Sequence, residues 1–572
     1  MNEDDFEVRM GRMRARPSGG PKTFVGQALA AAQRAGGLAR RPAARSGTFG
    51  RGRVASLRAL HAAPVGRSRG AVVKARIVRA GGARAPLPTH LQYLMREGVT
   101  QEGGRGQVFD AQVDAADGKA FAERCEGDRH HFRFIVSPDD ADQLSDLKGF
   151  TRDLMRQAEA DLGTRLDWVG VDHWNTGHPH IHVLVRGRTD RDADLVISRD
   201  YIKEGLRARA GALVTLELGP RSEREIRQLI ESQVEVDRWT PLDRGLARIT
   251  DEQGLIDLRQ GLSGGEPLRS AQVRRLRKLG RLGLAHERAP GRWRLDPQAE
   301  PTLRELGQRQ DIIARMHRAM AAETGELDPT RLVLGGGEET VAGRLVARGL
   351  DDELKGTAYA VVEAFDGRVH HVGLADLDHA SDARPGALVE VRHQIWEGRR
   401  GRVVLQVRSD LDLAGQVKAQ GATWLDRQLV GSRPVDLGEG RFPGEVRSAL
   451  DARAEHLAGE GLAQRNGRRW IFARDLLETL RERELAAASA DLQTKTGLAR
   501  QPLAPEGAVG GVYSRRLDLA SGRFAMLEDG LGFTLVPWRP AMERHLGRHI
   551  EGQLRPGQGI AWSFTPQRGV SR

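Results

Sequence analysis

Cysteine is nearly absent from this 572-residue chain; Cys125 stands alone. One thiol excludes a disulfide framework, a Cys-based zinc finger and an iron–sulfur cluster. Lysine is scarce too, at 9 of the 89 basic residues, so arginine carries the positive charge. Only four tyrosines occur, Tyr93, Tyr201, Tyr359 and Tyr513, which narrows any search for a phenolic nucleophile. No apolar run approaches the roughly 18 residues of a membrane span. No GxxxxGK[ST] phosphate loop is present, which argues against a helicase. The start, Met1-Asn2-Glu3-Asp4-Asp5, is acidic and leads into no apolar stretch, so no secretory leader is expected.

Charge is present, and it is uneven. The net value is +12. Residues 1–90 hold 18 basic and 4 acidic side chains, a local +14, and the remaining residues hold 71 and 73, a local −2. A basic excess suggests an anionic partner, nucleic acid first. Residues 1–70 are rich in Arg, Gly, Ala and Pro. Such a segment buries too little apolar surface to offset its chain entropy, so a basic, largely disordered arm is expected, with a short helix at 24–34.

The pattern changes at Ala71. Residues 71–79 alternate as a strand does, and 131–136, 167–174 and 180–185 read as three more. Helices are expected at 91–97, closed by Gly98, at 139–162, closed by Gly163, and at 202–210. Asn175-Thr176-Gly177 is the turn between the last two strands. Strands alternating with a long helix make one α+β unit over residues 71–217.

Beyond residue 220 the chain repeats itself. Trp239 to Leu246 resembles Thr423 to Leu429, and Val273 to Leu295 resembles Ala452 to Phe472. Each copy reads as a helix, a Gly stop and a short hairpin, the order of a winged helix. Each is followed by a small β-rich segment, in which Tyr359 and Tyr513 are expected at matching core places. The bounds are 218–320 for a helical linker and first winged-helix-like module, and 325–410 for its β module. They are 411–490 and 505–572 for the second pair. The fold class is α+β multidomain.

Four of the 17 histidines fall within ten residues: His173, His178, His180 and His182. Residues i and i+2 of a strand share a face, so His180 and His182 project side by side. His173 ends the preceding strand and approaches from across the turn. Three imidazoles on adjacent strands suit a divalent metal with open positions, which can polarise a phosphoryl oxygen. A histidine pair on a strand is otherwise surface or satisfied core. His130 and His131 are further neighbours.

These residues, with Tyr93-Leu94-Met95-Arg96-Glu97-Gly98, give the chain a resemblance to a known family. It is similar over residues 71–215 to the conjugative relaxases, mobilisation nucleases of the MobA and VirD type among the HUH endonucleases. That family has a nucleophilic tyrosine in a Tyr-Leu-x-Arg-x-Gly-like helix. It also has a strand ending in Ser near a Pro, as in His131 to Pro138, and a His-x-Asp-x-x-x-x-His-x-His motif. His173, His180 and His182 match the last of these, while Asn175 stands at the usual Asp. Asn can hydrogen-bond but cannot act as a base, so Asp172 is a candidate for the missing charge, with Asn175 and His178 as supporting groups.

The resemblance implies an HUH domain with a central antiparallel sheet and flanking helices. It implies metal-assisted transesterification by Tyr93 at an origin of transfer, with Mg or Mn held by His173, His180 and His182. A 5′-phosphotyrosyl DNA intermediate is later religated, which serves mobilisation. Tyr201 is the runner-up nucleophile. Arg96, Arg133 and Trp174 are expected to contact DNA, Trp174 by stacking on a base. The implied partners are DNA, single-stranded near the nick, accessory proteins and a type IV secretion coupling protein. The implied location is the bacterial cytoplasm, with translocation alongside the DNA. Two other readings stand beside it. One is an HUH replication initiator or transposase, though no pair of tyrosines at helical spacing occurs. The other is a non-enzymatic DNA-binding plasmid accessory protein.

Overall fold

The computed structural model describes residues 51–56, 67–79, 87–174, 178–251, 253–259, 265–321, 328–335, 340–376, 382–396, 399–503, 507–555 and 559–564. It is an α+β protein with several separate sheets. The chain divides into two units, residues 1–307 and 308–572. No helix among the described residues is long and apolar enough to cross a membrane.

In the first unit β1 (Ala71–Arg79), β2 (His130–Pro138), β3 (Trp168–His173) and β4 (His180–Arg186) form an antiparallel sheet in the order β1-β2-β4-β3. Four helices flank it: α1 (Leu87–Leu94), α2 (Gly118–Arg124), α3 (Leu147–Leu162) and α4 (Leu206–Leu218). Because side chains alternate along a strand, each face builds its own core. Phe132, Phe134, Trp168, Ile181 and Val183 face Phe150, Leu154 and Leu213 of α3 and α4. Val169, Val171 and Leu184 face Leu91, Leu94 and Phe121 of α1 and α2. Each large apolar side chain so buried contributes roughly 1.5–3 kcal/mol. Gly170 is needed on the first face, since a Cβ there would lie 2.6 Å from the ring of Phe109.

Helix ends differ from the sequence expectation for local reasons. The helix expected from residue 139 starts at Leu147. Asp140 is left-handed (φ 55°), a 3-10 turn follows at Ala141–Gln143, and Asp146 caps α3 by accepting from the Gly149 amide at 2.9 Å. The helix expected to reach Glu97 ends at Leu94, and the chain turns through Gly98 at φ 82°. The closing helix starts at Tyr201 with one π turn and runs on to Leu218.

The arm does not extend to residue 70. The Arg51 amide donates to Val196 and its carbonyl accepts from Ser198 (2.8 and 2.9 Å), and its guanidinium reaches the Leu162 carbonyl. Ser56 is buried and donates to the Asp200 carbonyl. Arg69 is 6% exposed and bonds Asp140, Glu225 and the Gly219 carbonyl. These backbone and guanidinium bonds give the segment the anchorage that its composition hides. The rest of the arm, including 24–34, lies outside the described residues.

Next come α5 (Glu223–Glu231), α6 (Pro241–Arg248), β5 (Leu255–Asp257), α7 (Gly265–Arg281), β6 (Ala285–Ala289), β7 (Arg292–Leu295) and α8 (Ala299–Ala321). Thr240 and Asp243 cap α6 reciprocally. Arg275, fully buried, holds Asp243 through Nε and Nη2 (2.7 and 2.8 Å) and three backbone carbonyls through its remaining N–H groups.

In the second unit β8 (Leu332–Leu334), β9 (Val341–Asp352), β10 (Thr357–Ala364), β11 (Val369–Leu374), β12 (Leu388–Trp396) and β13 (Arg399–Ser409) form a sheet in the order β13-β12-β9-β10-β11-β8. Then follow α9 (Leu413–Lys418), α10 (Trp424–Val430), α11 (Arg441–Gly459), β14 (Ala463–Asn466), β15 (Arg469–Phe472) and α12 (Leu476–Thr496). The last sheet has β16 (Ala499–Arg500), β17 (Gly507–Leu519), β18 (Gly522–Glu528), β19 (Gly532–Pro537), β20 (His549–Arg555) and β21 (Gly559–Ser563). Its order, β21-β20-β17-β18-β19-β16, repeats that of the first sheet strand for strand. In both, the short first strand pairs in parallel with the fourth.

The helical modules repeat as closely. Thr423 and Asp426 cap α10, and fully buried Arg453 holds Asp426 and three carbonyls. Gln233 and Gln416 each accept from the amide beside the cap, of Leu242 and Leu425. The two tyrosines break the symmetry. Tyr359 lies on β10 and half-buried, whereas Tyr513 lies on β17, the counterpart of β9, and is fully buried. The expectation of matching places is therefore corrected.

Candidate active site

His173 and His180 are directly paired across β3 and β4, and His182 is paired with Val171. Cross-strand partners share a face, so all three rings lie on the side of the sheet covered by α1 and α2. The ring centroids are 4.5 Å (His173–His182), 5.1 Å (His180–His182) and 5.4 Å (His173–His180) apart. One nitrogen of each lies within 4.8 Å of the others, and all three side chains are buried. The group can hold a metal ion.

Backbone carbonyls fix the rings. His173 Nε2 is 2.9 Å from the Leu94 carbonyl, and His180 Nδ1 is 3.0 Å from the His178 carbonyl. A carbonyl only accepts, so each of these nitrogens carries the proton. The lone pair is then on Nδ1 of His173 and on Nε2 of His180. Orientation of this kind is what metal-binding imidazoles use. The donor set thus fits a divalent cation, and three imidazole nitrogens suit a transition-metal ion better than Mg.

The same bond brings in the tyrosine. Leu94 ends α1 one residue after Tyr93, and a second bond, from the Trp174 amide to the Val99 carbonyl (2.7 Å), fixes the far side of the turn. Tyr93 and Arg96 are therefore held at both ends to the strand that carries His173. Tyr93 is half-buried against the Leu91–Leu94 core. The Arg96 guanidinium folds back over its ring at 4.2 Å and donates to its carbonyl at 3.3 Å. On β2, Ser137 donates to the Pro179 carbonyl beside His180. The three motif segments thus meet at one end of the sheet.

Other expected site residues lie elsewhere. Asp172 is on the opposite face of β3 from the histidines and accepts from the Trp174 indole at 2.7 Å. It therefore does not stand in for the missing acid beside the rings. Trp174 is half-buried against the α3/α4 core, its N–H directed to Asp172. Asn175 lies outside the described residues. His178 is exposed and contributes its carbonyl. Arg133 shares the histidine face but is 8% exposed and donates to His131 at 3.1 Å, a poor position for a phosphate contact. His131 pairs with Arg186, well along the strand from His182. Burial, then the Arg133 charge, push its pKa down to about 4.

Tyr201 is corrected as a nucleophile. It is 2% exposed in the α3/α4 core, on the far face of the sheet. Its hydroxyl donates to Asp161 at 2.9 Å, a carboxylate that Arg209 also grips in bidentate fashion. Burial and the Asp161 charge both raise the phenol pKa.

Sequence reading missed three contributors. The Leu94 and His178 carbonyls have no side-chain signal. Lys74 does: it is exposed on β1, in register with Ile135, which pairs with His182, so all three share a row on the histidine face.

A family model described as "Protein of unknown function (DUF3363)" matches residues 272–401 and 393–571, together just over half of the chain. The match lies outside the histidine-bearing sheet. No curated protein matches the chain, and no solved structure does.

Proposed function

We propose that this chain, which belongs to the DUF3363 family of proteins of unknown function, is a relaxase. It nicks one strand of plasmid or mobile-element DNA at an origin of transfer and later reseals it. The observation that carries the reading is the His173–Leu94 bond, which couples the Tyr93 segment to the three-histidine group. The antiparallel sheet flanked by helices supports the reading.

In this reading Tyr93 Oη attacks the scissile phosphorus and loses its proton to solvent. A phosphotyrosyl bond to the DNA 5′ end forms, the bond to the 3′ oxygen breaks, and that oxygen leaves as a hydroxyl once protonated. The number of phosphodiester bonds is unchanged, so resealing needs no nucleotide. A divalent ion held by His173, His180 and His182 would neutralise charge on the phosphate. Arg96 keeps the Tyr93 ring in place, and Lys74 supplies a backbone contact on the open side of the face. Single-stranded DNA near the nick is the substrate, and accessory and secretion coupling proteins are the partners of a cytoplasmic enzyme.

The test is a denaturing gel of the protein incubated with Mn²⁺ and single-stranded DNA from the encoding element's transfer region. A covalent adduct is expected, lost in Tyr93→Phe and with chelator and kept in Tyr201→Phe. An adduct that survives Tyr93→Phe overturns the nucleophile. Tight DNA binding without any adduct favours the non-enzymatic accessory reading.

A further inference from the structure

The two winged-helix-like modules share a buried framework but differ in how far acids neutralise their exposed arginines. In the first, three exposed or half-buried basic residues of α7 are answered by acids, Arg274 by Glu231, Lys278 by Asp237 (2.9 Å) and Arg281 by Glu235 (2.9 Å), while Arg277 is exposed without such a pair among the described residues. On its hairpin Arg292 pairs with Asp257 (3.0 Å) and Glu287 offsets a further charge, leaving Arg288 and Arg294 exposed. The second hairpin, β14 and β15, has no acid at all in Ala463–Phe472. It carries Arg465, Arg468 and Arg469, all exposed, and Arg474 follows, also exposed. Among the described residues no carboxylate lies within ion-pair distance of any of the four. The nearest acid before them, Glu460, pairs with His456 and Arg483.

The hairpin is built to present these groups. Asn466 pairs with Arg469, so Gly467 and Arg468 form a two-residue turn, with Gly467 at φ 60°. Arg468 is therefore at the tip, with Arg465 and Arg469 on opposite strands below it. The Arg465 guanidinium sits 5.7 Å over the Trp470 ring, which limits its freedom before any partner arrives. Ile471 is 53% exposed beside them. The adjoining helix α11 exposes Arg441 and Arg447 in its first half and turns acidic in its second, next to the hairpin. Its exposed residues include Asp451 and Glu455, which repel phosphate.

We propose that this hairpin is a docking element for the phosphate backbones of duplex nucleic acid. Its two strands, about 4.8 Å apart, suit the two rims of a minor groove about 6 Å wide. Arginine forks match phosphate oxygens. The Trp470 ring is half-buried and has Arg465 over one face, which disfavours stacking on the bases of a single strand. With Asp451 and Glu455 exposed on the neighbouring turns of α11, the contact is made by the hairpin to the phosphate backbones alone, so it is independent of sequence. The proposal stands apart from the Tyr93 chemistry: it gives the C-terminal half a grip on the double-stranded DNA beside any processed site.

The experiment compares the full chain with an Arg465→Gln/Arg468→Gln/Arg469→Gln variant by fluorescence anisotropy on a labelled duplex of arbitrary sequence over a salt series. The basic arm contributes equally to both proteins. The variant is expected to bind at least ten-fold more weakly at low salt, with a log–log salt slope shallower by about 2–3. Arg274→Gln/Arg281→Gln/Arg292→Gln, which removes paired arginines, is expected to change the slope by less than half as much. Unchanged affinity and slope in the hairpin variant overturn the proposal. So does an equal loss on single-stranded DNA, or a loss seen only on vesicles of anionic lipid. Circular dichroism of the variant, expected to match the parent, separates lost contacts from lost folding.

Discussion

His173 donates from Nε2 to the carbonyl of Leu94 across 79 residues of chain, at 2.9 Å inside the protein. The ring is thereby a candidate metal ligand and a structural tie at once. His173→Ala is expected to cut Mn²⁺ affinity at least ten-fold in calorimetry, as are His180→Ala and His182→Ala. Only His173→Ala also strands a buried carbonyl, at a cost of about 1–3 kcal/mol. A lower urea midpoint for that variant than for His180→Ala checks the second role. Equal midpoints would show that the tie carries no weight.

Tyr201→Phe removes a hydroxyl bonded to a charged carboxylate. A loss of about 1–3 kcal/mol is expected, read as a lower denaturation midpoint, with adduct yield unchanged. A stable variant that no longer forms adduct would return Tyr201 to the chemistry.

His131 is neutral in the fold because burial and Arg133 depress its pKa to about 4 from about 6.5. A depressed value means that the unfolded state binds the extra proton first. The stabilisation is full above about pH 6.5 and is lost as pH falls towards 4. The measurement is thermal melting between pH 7 and 4. His131→Gln is expected to flatten the fall in midpoint over that window. If its curve has the same slope as the parent's, other groups carry the acid lability.

Arg453 and Asp426 are both fully buried, as are Arg275 and Asp243. Removing one partner leaves a charge without compensation. Arg453→Ala or Arg275→Ala is expected to cost about 3–5 kcal/mol, seen as early loss of that module's melting transition. Arg453→Met with Asp426→Leu is expected to recover part of it. A mild single-mutant phenotype would mean that water enters the site.

The parts of this fold that announce themselves in sequence are those with a side-chain period. Alternation in 71–79 and 180–185 yields β1 and β4 nearly to the residue, and His180 and His182 share a face because strands have period two. The repeat is visible in the Thr-x-x-Asp echoes and in a Gly-Arg step just before a Trp, Gly291-Arg292-Trp293 and Gly467-Arg468-Arg469-Trp470. What stayed hidden is made by backbone or by burial. Nothing in the letters shows that the Leu94 carbonyl receives His173, that Asp140 turns left-handed and delays α3, or that Arg51 and Arg69 are anchored rather than solvated. Asp172 looked apt only because sequence proximity does not reveal that neighbouring residues on a strand face opposite ways. Tyr201 looked apt for its basic neighbours, and the carboxylate that ties it lies 40 residues earlier.

The anchored segment at Arg51–Ser56 also sets how the domain responds to force. Among the described residues, a pull applied from its N-terminal side meets first the two backbone bonds between Arg51 and residues 196 and 198. It then reaches Arg69, and next β1, which lies at the rim of the sheet. Each of these can peel away one row at a time, so the load arrives in small steps. The strands that carry the histidines sit at the far side of that sequence and are the last to feel it. A chain drawn N-terminus first through a narrow passage would therefore keep its reactive centre assembled until most of its tethers had already gone.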